Sequence, residues 1–451
     1  MSRGRAAGPA AQRVTREHGA LVNIVREPSC EDEAEPALLP VAEARRRIAA
    51  SLSPLAETET LALADCVSRV LAGSVRAAND VPAHDNSAMD GYAIDRASIP
   101  ESGEATLALL GTAWAGRPFE GTVGKGETVR IFTGAIMPDG ADTVVIQERV
   151  RVAGDTVRIA ADVEPGRNVR PAGEDVAAGE EVFAAGRRLG AAELGVLASL
   201  GVGRATVTRR PRVAFFTTGD ELLPLADDTD GAPPPQGCLY DSNRYTLGAL
   251  LAGLGVEAID LGIVADEPVA TRRALRTGAA RADLVVSSGG ISAGEADFVT
   301  RAFHEIGEVA FWKIAMRPGR PLAFGRIGAA GSDGAAFFGL PGNPVAVMVT
   351  FLQFVRPAIL RLSGMREIEP PVLPARSLST LRKSPGRVEY QRGFMRVVDG
   401  DLVVESTGKQ GAGRLSSMSA ANCLIVLDAD LDGVGTGERV GVQPFHGLLP
   451  G

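Results

Sequence analysis

Asp283-Leu-Val-Val-Ser-Ser-Gly-Gly-Ile-Ser-Ala-Gly-Glu-Ala-Asp297 runs from a short apolar stretch into a Ser/Gly turn, and two carboxylates follow a few residues later. The apolar stretch reads as a buried strand. At its end Gly289, Gly290 and Gly294 carry no Cβ, so backbone N–H groups there can approach an anion closely. A second run, Ala336-Phe-Phe-Gly-Leu-Pro-Gly-Asn-Pro344, makes the same move and leads into a long apolar helix. Together they place a ligand site at the carboxyl ends of parallel strands in an open α/β sheet.

Outward from this stretch, residues 212–364 alternate strand and helix: strands at 213–216, 258–264 and 284–287, helices at 244–253, 269–281 and 298–306. This predicts a doubly wound sheet occupying 210–366. Upstream, 41–52 has helical spacing, with Val41, Ile48 and Leu52 on one stripe, and 191–200 is a helix stopped by Gly201. Between them, Val81 to Asp175 breaks into short strands separated by Gly and Pro. The texture predicts a β-rich domain, 79–177, inserted into a helical, elongated domain made of 38–78 and 178–209. Pro370-Pro-Val-Leu-Pro374 reads as a linker, and alternation from Arg387 onward predicts a C-terminal β-barrel or sandwich within 367–451. The fold class is therefore α/β multidomain. Residues 1–37, rich in Arg and Ala and then acidic, read as a disordered extension.

At 451 residues, roughly three domains are the starting expectation. A net charge of −8 argues against nucleic acid as partner, because phosphate contacts dominate that affinity. The four cysteines and four histidines lack metal-ligand spacing, which argues against a zinc site and for a reduced, cytoplasmic protein. No uninterrupted apolar stretch reads as long enough to cross a bilayer, so no membrane is expected.

Several motifs carry chemistry. Asp85-Asn-Ser-Ala-Met-Asp-Gly-Tyr-Ala93 is either a turn built by Asp, Asn and Gly or a ligand-facing loop in which Ser87 and Asp90 matter. Thr133 and Gly134 either offer a hydroxyl and an N–H to an oxyanion or cap a helical turn. Glu174 and Asp175 either bind Mg²⁺ or lie solvated in a turn. Thr218, Gly219, Asp220 and Glu221 end the first α/β strand and suit phosphate and metal, or else an N-cap with first-turn acids. Asp241-Ser-Asn243 opens a helix, where capping is the default. Lys313, Arg317 and Arg320 concentrate positive charge near a Pro/Gly turn in an acidic chain, which suits an anion. In Gly339-Leu-Pro-Gly-Asn-Pro344, Pro341 and Pro344 fix the backbone while Gly342, beside Asn343, permits close approach. No Ser-His-Asp or Cys-His arrangement is present in these motifs. What remains is equipment for a phosphorylated ligand, a divalent metal and an oxyanion.

Six motifs occur in the order of one family: 85–93, Thr-Gly-Ala at 133–135, Gly-Glu-Asp at 173–175, Thr-Gly-Asp-Glu-Leu at 218–222, the Gly-rich run at 288–297, and Gly-Leu-Pro-Gly-Asn-Pro at 339–344. From about Leu38 to the C-terminus the chain resembles the molybdopterin molybdenumtransferase family and is similar to the gephyrin E domain. The resemblance implies four domains and an elongated homodimer, with a cleft between the α/β domain of one subunit and the inserted domain of the other. It implies a Mg²⁺-dependent transferase that converts adenylylated molybdopterin and molybdate to molybdenum cofactor and AMP. Asp90, Asp175 and Glu221 match the family's acidic positions, expected to hold Mg²⁺ or steer water, and Thr133 its motif threonine. Ser288, Gly289, Gly290, Ser292 and Asp297, with Asp266 nearby, would cradle phosphate and pterin, and Lys313, Arg317 and Arg320 would meet phosphate or molybdate. The chain departs from the family pattern at His84, at Arg317 and Arg320 (usually lysines), and at Ala412 (usually serine). A non-catalytic molybdopterin-binding scaffold, a molybdopterin adenylyltransferase and a tungstate-inserting enzyme are the alternatives. Molybdopterin adenylyltransferase and molybdoenzyme maturation factors are the expected partners.

Overall fold

The computed structural model describes residues 38–226, 229–290, 306–328 and 334–445. Helix α1 (Val41–Ser51) opens the chain. Its apolar stripe, Val41, Ala44 and Ile48, continues into Leu52 and is buried in one apolar core with Val213, Leu247, Phe338 and Phe354. The expected domain boundary at 78 assigned this helix to the elongated piece. The burial of its stripe in the α/β core ties the start of that piece to the α/β domain, a long-range contact that local spacing does not encode.

Strand β1 (Thr58–Ala62) then leaves the core. The chain next builds a six-stranded sheet from β2 (Gly91–Ile94), β3 (Glu104–Ala113), β4 (Glu127–Ile131), β5 (Thr143–Ile146), β6 (Arg151–Ala153) and β7 (Thr156–Ala160), in the order β5-β2-β4-β3-β7-β6. Separate apolar clusters cover its two faces, one around Val129 and Ile131, the other around Tyr92 and Val157. The return path supplies α2 (Ala191–Ser199) and β8 (Arg204–Thr208), which pairs antiparallel with β1. Leu197 of α2 seals a small core with Cys66, Leu71 and Val207. The predicted helix at 191–200 is present. The stretch from 61 to 78 is a strand end, a short 3₁₀ turn and a two-residue strand.

The α/β domain follows as β9 (Arg212–Thr218), α3 (Ser242–Gly253), β10 (Glu257–Val264), α4 (Pro268–Ala279) and β11 (Leu284–Ser288), then β12 (Gly307–Lys313), β13 (Met316–Arg317), β14 (Pro321–Ile327) and β15 (Ala335–Leu340). Its sheet order is β10-β9-β11-β15-β14-β12, parallel through the first four strands and antiparallel at the β14-β12 edge. Alternate residues of β9 and β11 face opposite layers. Phe215 and Val286 meet Leu247 and Leu251 of α3, whereas Phe216 and Val285 meet Leu275 of α4. Helices on both faces make this the expected doubly wound sheet. The helix predicted at 298–306 lies outside the described residues, apart from Ile306.

A long apolar element, α5 (Pro344–Thr350), a π-helical turn at Phe351–Val355 and α6 (Arg356–Leu362), backs the sheet. Over Pro344–Leu362 its length and mean hydropathy of 1.6 would suffice for a membrane span, although Gln353, Arg356 and Arg361 interrupt the apolar run, in keeping with the expectation that no uninterrupted stretch is long enough. It is 83% buried inside the protein, as befits a core helix. The C-terminal strands β16 (Leu373–Ser377), β17 (Val388–Val398), β18 (Asp401–Ser406), β19 (Cys423–Leu427) and β20 (Arg439–Pro444) close on themselves through β17–β19 pairing. The product is a five-stranded barrel with no free edge among these strands. β13 adds to β17, so the turn holding Arg317 is stitched to the barrel.

Arg209 ties the elongated piece to the sheet. It donates to both Asp283 carboxylate oxygens at 2.7 Å and also pairs with Glu57. Burial pushes the Asp283 carboxyl up. Hydrogen bonds from Arg209 and the Arg212 N–H outweigh this and hold it below the usual carboxylate range. A depressed folded-state value contributes stability above the unfolded value of about 4, which is lost as pH falls through the folded value. Acid denaturation below about pH 4 is therefore expected to be shallower in Asp283→Asn, measured as urea midpoint against pH.

Candidate active site: three clusters around the strand ends

The first cluster sits at the carboxyl ends of β9, β11 and β15. Thr218 ends β9, and its hydroxyl donates to Asp266 Oδ1 at 2.5 Å. The Asp266 N–H in turn donates to Asp220 Oδ1 at 3.2 Å. The exposed Glu221 folds back so that a Cβ on Gly219 would lie 2.6 Å from its Oε2. Gly289 follows β11 with φ +96°, and a Cβ there would stand 2.4 Å from the Thr218 carbonyl oxygen. Only glycine fits this position. The Gly289 N–H donates to the Leu340 carbonyl at 3.0 Å, and Gly290 continues with φ +67°. The Cβ position of Gly342 is 3.9 Å from Gly289 Cα, so the turns after β11 and β15 face each other. Ser288 is buried and donates to the Pro341 carbonyl at 3.2 Å. Ser292 and Asp297 lie outside the described residues.

The second cluster is a cavity of about 260 Å³ between the α/β domain and the barrel. Arg317, Pro318, Gly319 and Pro321 line one side and Pro341, Gly342 and Asn343 another, while the barrel contributes Glu389, Tyr390, Arg392, Gln410, Gly411 and Ala412. Gly319, at φ +95°, would place a Cβ 2.4 Å from Thr350 Cγ2, so its turn packs directly on α5. Asn343 is the N-cap of α5 and Pro344 its first residue; the Asn343 side chain makes no capping bond. The Val345 N–H donates to the Ala412 carbonyl at 3.1 Å. The backbone at Ala412 thus keeps a role although the hydroxyl usual there is absent.

Arg392 is the residue sequence reasoning missed. It is 1% exposed and donates to Ser417 Oγ at 3.0 Å and the Gly411 carbonyl at 3.2 Å. Burial pulls its guanidinium below the usual value, and among the described residues no carboxylate forms an ion pair with it. A buried cation of this kind favours an anion beside it. Its signal in the sequence was a run of polar side chains, Gln391 and Arg392, on a strand that packs inward. Arg317 is exposed and approaches Glu389 at 3.9 Å. Lys313 and Arg320 flank this turn without lining the cavity.

The third cluster lies on the inserted domain. Asp90 Oδ1 accepts from both the Thr133 N–H and the Thr133 hydroxyl, each at 2.8 Å. These two hydrogen bonds, backbone first, hold its carboxyl below the usual range, so Asp90 is ionised at neutral pH. Ser87 is buried. Its carbonyl accepts from Gly134, its N–H donates to Ala135, and its hydroxyl donates to the Met89 carbonyl. The Asp85–Ala93 segment is therefore a tightly tied loop presenting Asp90, and Thr133 serves Asp90. Asp175 is exposed, and its N–H donates to the Val81 carbonyl.

Within one chain the expected metal set does not assemble. Among the described residues no group of three Asp, Glu, His or Cys side chains could hold an ion. The reason is topological: Asp90 and Asp175 belong to loops of the inserted domain, whereas Glu221 follows β9.

A doubly wound domain carrying a strand-end cradle, an arginine-lined cavity closed by a β-barrel and an inserted domain with a fixed acid define a multidomain protein built around an anionic ligand. Family models match three consecutive parts of the chain: "MoeA N-terminal region (domain I and II)" over 39–201, "Probable molybdopterin binding domain" over 214–361, and "MoeA C-terminal region (domain IV)" over 374–445. The Haemophilus influenzae protein named molybdopterin molybdenumtransferase is 39% identical over 415 residues, covering 91% of this chain and 100% of that one. A protein of the same name from Nostoc is 36% identical, covering 85% of this chain and 88% of its own. The crystal structure of a molybdopterin biosynthesis moeA protein from Pyrococcus horikoshii superposes with a TM-score of 0.78 at 26% identity, covering 90% of this chain and 100% of that one. The chain belongs to the molybdopterin molybdenumtransferase family. Matches on both sides of the central domain disfavour a relative sharing that domain alone.

Replacing Gly289 with Ala forces a side chain against the Thr218 carbonyl at positive φ. The expected cost is roughly 1–3 kcal/mol, read from the shift in urea midpoint. Gly386→Ala is the control, since that glycine also has positive φ but meets nothing within 4 Å.

Proposed function

We propose that this chain inserts molybdate into adenylylated molybdopterin, giving molybdenum cofactor and AMP. The observation that carries the reading is the Pro341–Asn343 turn, which belongs to both the strand-end cradle and the cationic cavity. One long ligand can thereby lie with its phosphates over Gly289 and Gly342 and its far end toward Arg392. The Gly289 N–H is committed to the Leu340 carbonyl, and the N–H groups of Gly290 and Gly342 beside it bind phosphate oxygens, the role such concave backbone suits. Molybdate, a dianion, sits with Arg317 and Arg392, whose positive charge offsets its desolvation. The pterin dithiolene supplies the sulfur. Burial pushes the Cys423 thiol up to about 12 and also raises Cys66, so these two buried thiols stay protonated.

Mg²⁺ dependence belongs to this proposal. The chemistry of the donor set fits: among the described residues no cation pairs with Asp175 or Glu221, and only one oxygen of Asp90 is hydrogen-bonded. Asp90, Asp175 and Glu221 would hold the ion together with ligand phosphate oxygens, as Mg²⁺ prefers, and it would neutralise charge at the phosphoanhydride. Because one chain does not unite these acids, the site is composite: Asp90 and Asp175 of one subunit face Glu221 of a second copy in a homodimer. The setting is reducing and cytoplasmic, between the adenylyltransferase reaction that supplies the substrate and the maturation factors that take the product.

Single-turnover reaction with adenylylated molybdopterin, Mg²⁺ and molybdate is expected to release AMP only when molybdate is present. AMP release that ignores molybdate, or binding without turnover, would favour a scaffold. For the composite site, Asp90→Asn and Glu221→Gln are each expected to be folded and inactive. Mixing them after subunit exchange should restore about one quarter of wild-type activity, since half of the dimers regain one of two sites. No recovery would mean that the acids act within one chain.

A further inference from the structure

The first turn of α3 sends two polar side chains into the layer between the strand ends. Asp241, 2% exposed, caps the helix by accepting from the Arg244 N–H at 3.1 Å and also accepts from the Thr217 hydroxyl of β9. Asn243, 9% exposed, reaches two other strand ends. Its Nδ2 donates to Ser288 Oγ at 3.0 Å and to the Gly342 carbonyl at 2.7 Å. The amide orientation is forced, because the Gly342 carbonyl can only accept and the Ser288 hydroxyl gives its proton to the Pro341 carbonyl. Among the described residues Asn243 Oδ1 has no hydrogen-bond partner, so the NH₂ group alone holds the side chain. Helix formation asks for nothing at this position that Asp241 does not already provide.

We infer that Asn243 is a positioning residue that sets the separation of the two ligand-bearing turns, Ser288–Gly290 and Pro341–Asn343. The inference rests on the proposed use of those turns for phosphate and pterin. The last ladder hydrogen bond between them runs from the Gly289 N–H to the Leu340 carbonyl. Beyond it, the Ser288 hydroxyl reaches the Pro341 carbonyl, and the Asn243 amide, bonded to that hydroxyl and to the Gly342 carbonyl, extends the link to the end of the second turn. A ligand held by N–H groups on both turns loses contacts at both ends when the gap widens, so its affinity depends on this amide.

The test uses the full-length protein and unadenylylated molybdopterin. Asn243→Asp keeps the shape but sets a carboxylate oxygen against the Gly342 carbonyl, and Asn243→Ala removes the bridge. Both are expected to weaken molybdopterin binding about tenfold or more, and to raise KM well beyond any fall in kcat. Hydrogen exchange should accelerate at 286–290 and 340–344 while β10 and the barrel keep their protection. Binding within about twofold of wild type, loss of kcat at unchanged KM, or exchange raised uniformly through the domain would each overturn the inference. If the wild-type chain itself does not bind molybdopterin, the proposed function fails. The exchange pattern of the variants then decides the role of Asn243 by itself.

Discussion

The close approach of Gly289 to the Thr218 carbonyl is the constraint on which the rest of the site depends. Two parallel strands end there with no room for a side chain between them, and Gly342 closes in from the third. This crowding leaves bare backbone as the lining of the cradle, which an acidic chain needs if it is to hold phosphate without surrounding it with carboxylates. The polar side chains beneath the turns, Thr217, Asp241, Asn243 and Ser288, are all buried and joined to one another or to the turns themselves. They are a support, and the acids Asp220, Glu221 and Asp266 stand at its rim.

The cationic cavity depends on a second junction. β13 pairs with β17 of the barrel, and Gly319 presses on Thr350, so the Arg317 turn is fixed by contacts on two domains. Arg392 enters from the barrel side with its hydrogen bonds already committed to neutral oxygens. Buried Gln353 in the π-helical turn donates to Gln443 of β20 at 2.9 Å, linking the core helix to the same barrel. A π-turn opens the helix locally, and here it carries the polar side chain that makes this joint.

Residue texture revealed the α/β domain because its apolar runs are short, bounded by glycines and alternate with helical spacing. Each of these is a local signal. It also picked out the glycine turns, whose chemistry follows from a missing Cβ. Three features depended on chain tracing that no local pattern carries. Helix α1 shows its stripe plainly, yet the core that buries it begins at Val213. Asp90 was recognisable as a carboxylate in a polar loop, but its partner Thr133 comes from the turn after another strand. Arg392 sits on a barrel strand whose closure through β17–β19 is a long-range event, so the polar pair Gln391-Arg392 marked an unusual strand without pointing to the cavity. The acids expected to share one ion were legible one by one, and their separation within a single chain was not.

The central claim is that one ligand path runs from the strand-end glycines through the Pro341–Asn343 turn to the Arg392 cavity. Diffraction from crystals soaked with AMP and tungstate, a heavy stand-in for molybdate, tests this most directly, because tungsten is located by its anomalous signal. The account predicts tungsten beside Arg392 and Arg317 and AMP phosphate over Gly289 and Gly342, on either side of the shared turn. Tungsten bound elsewhere with the cavity filled only by water, or AMP remote from the strand ends, would contradict it.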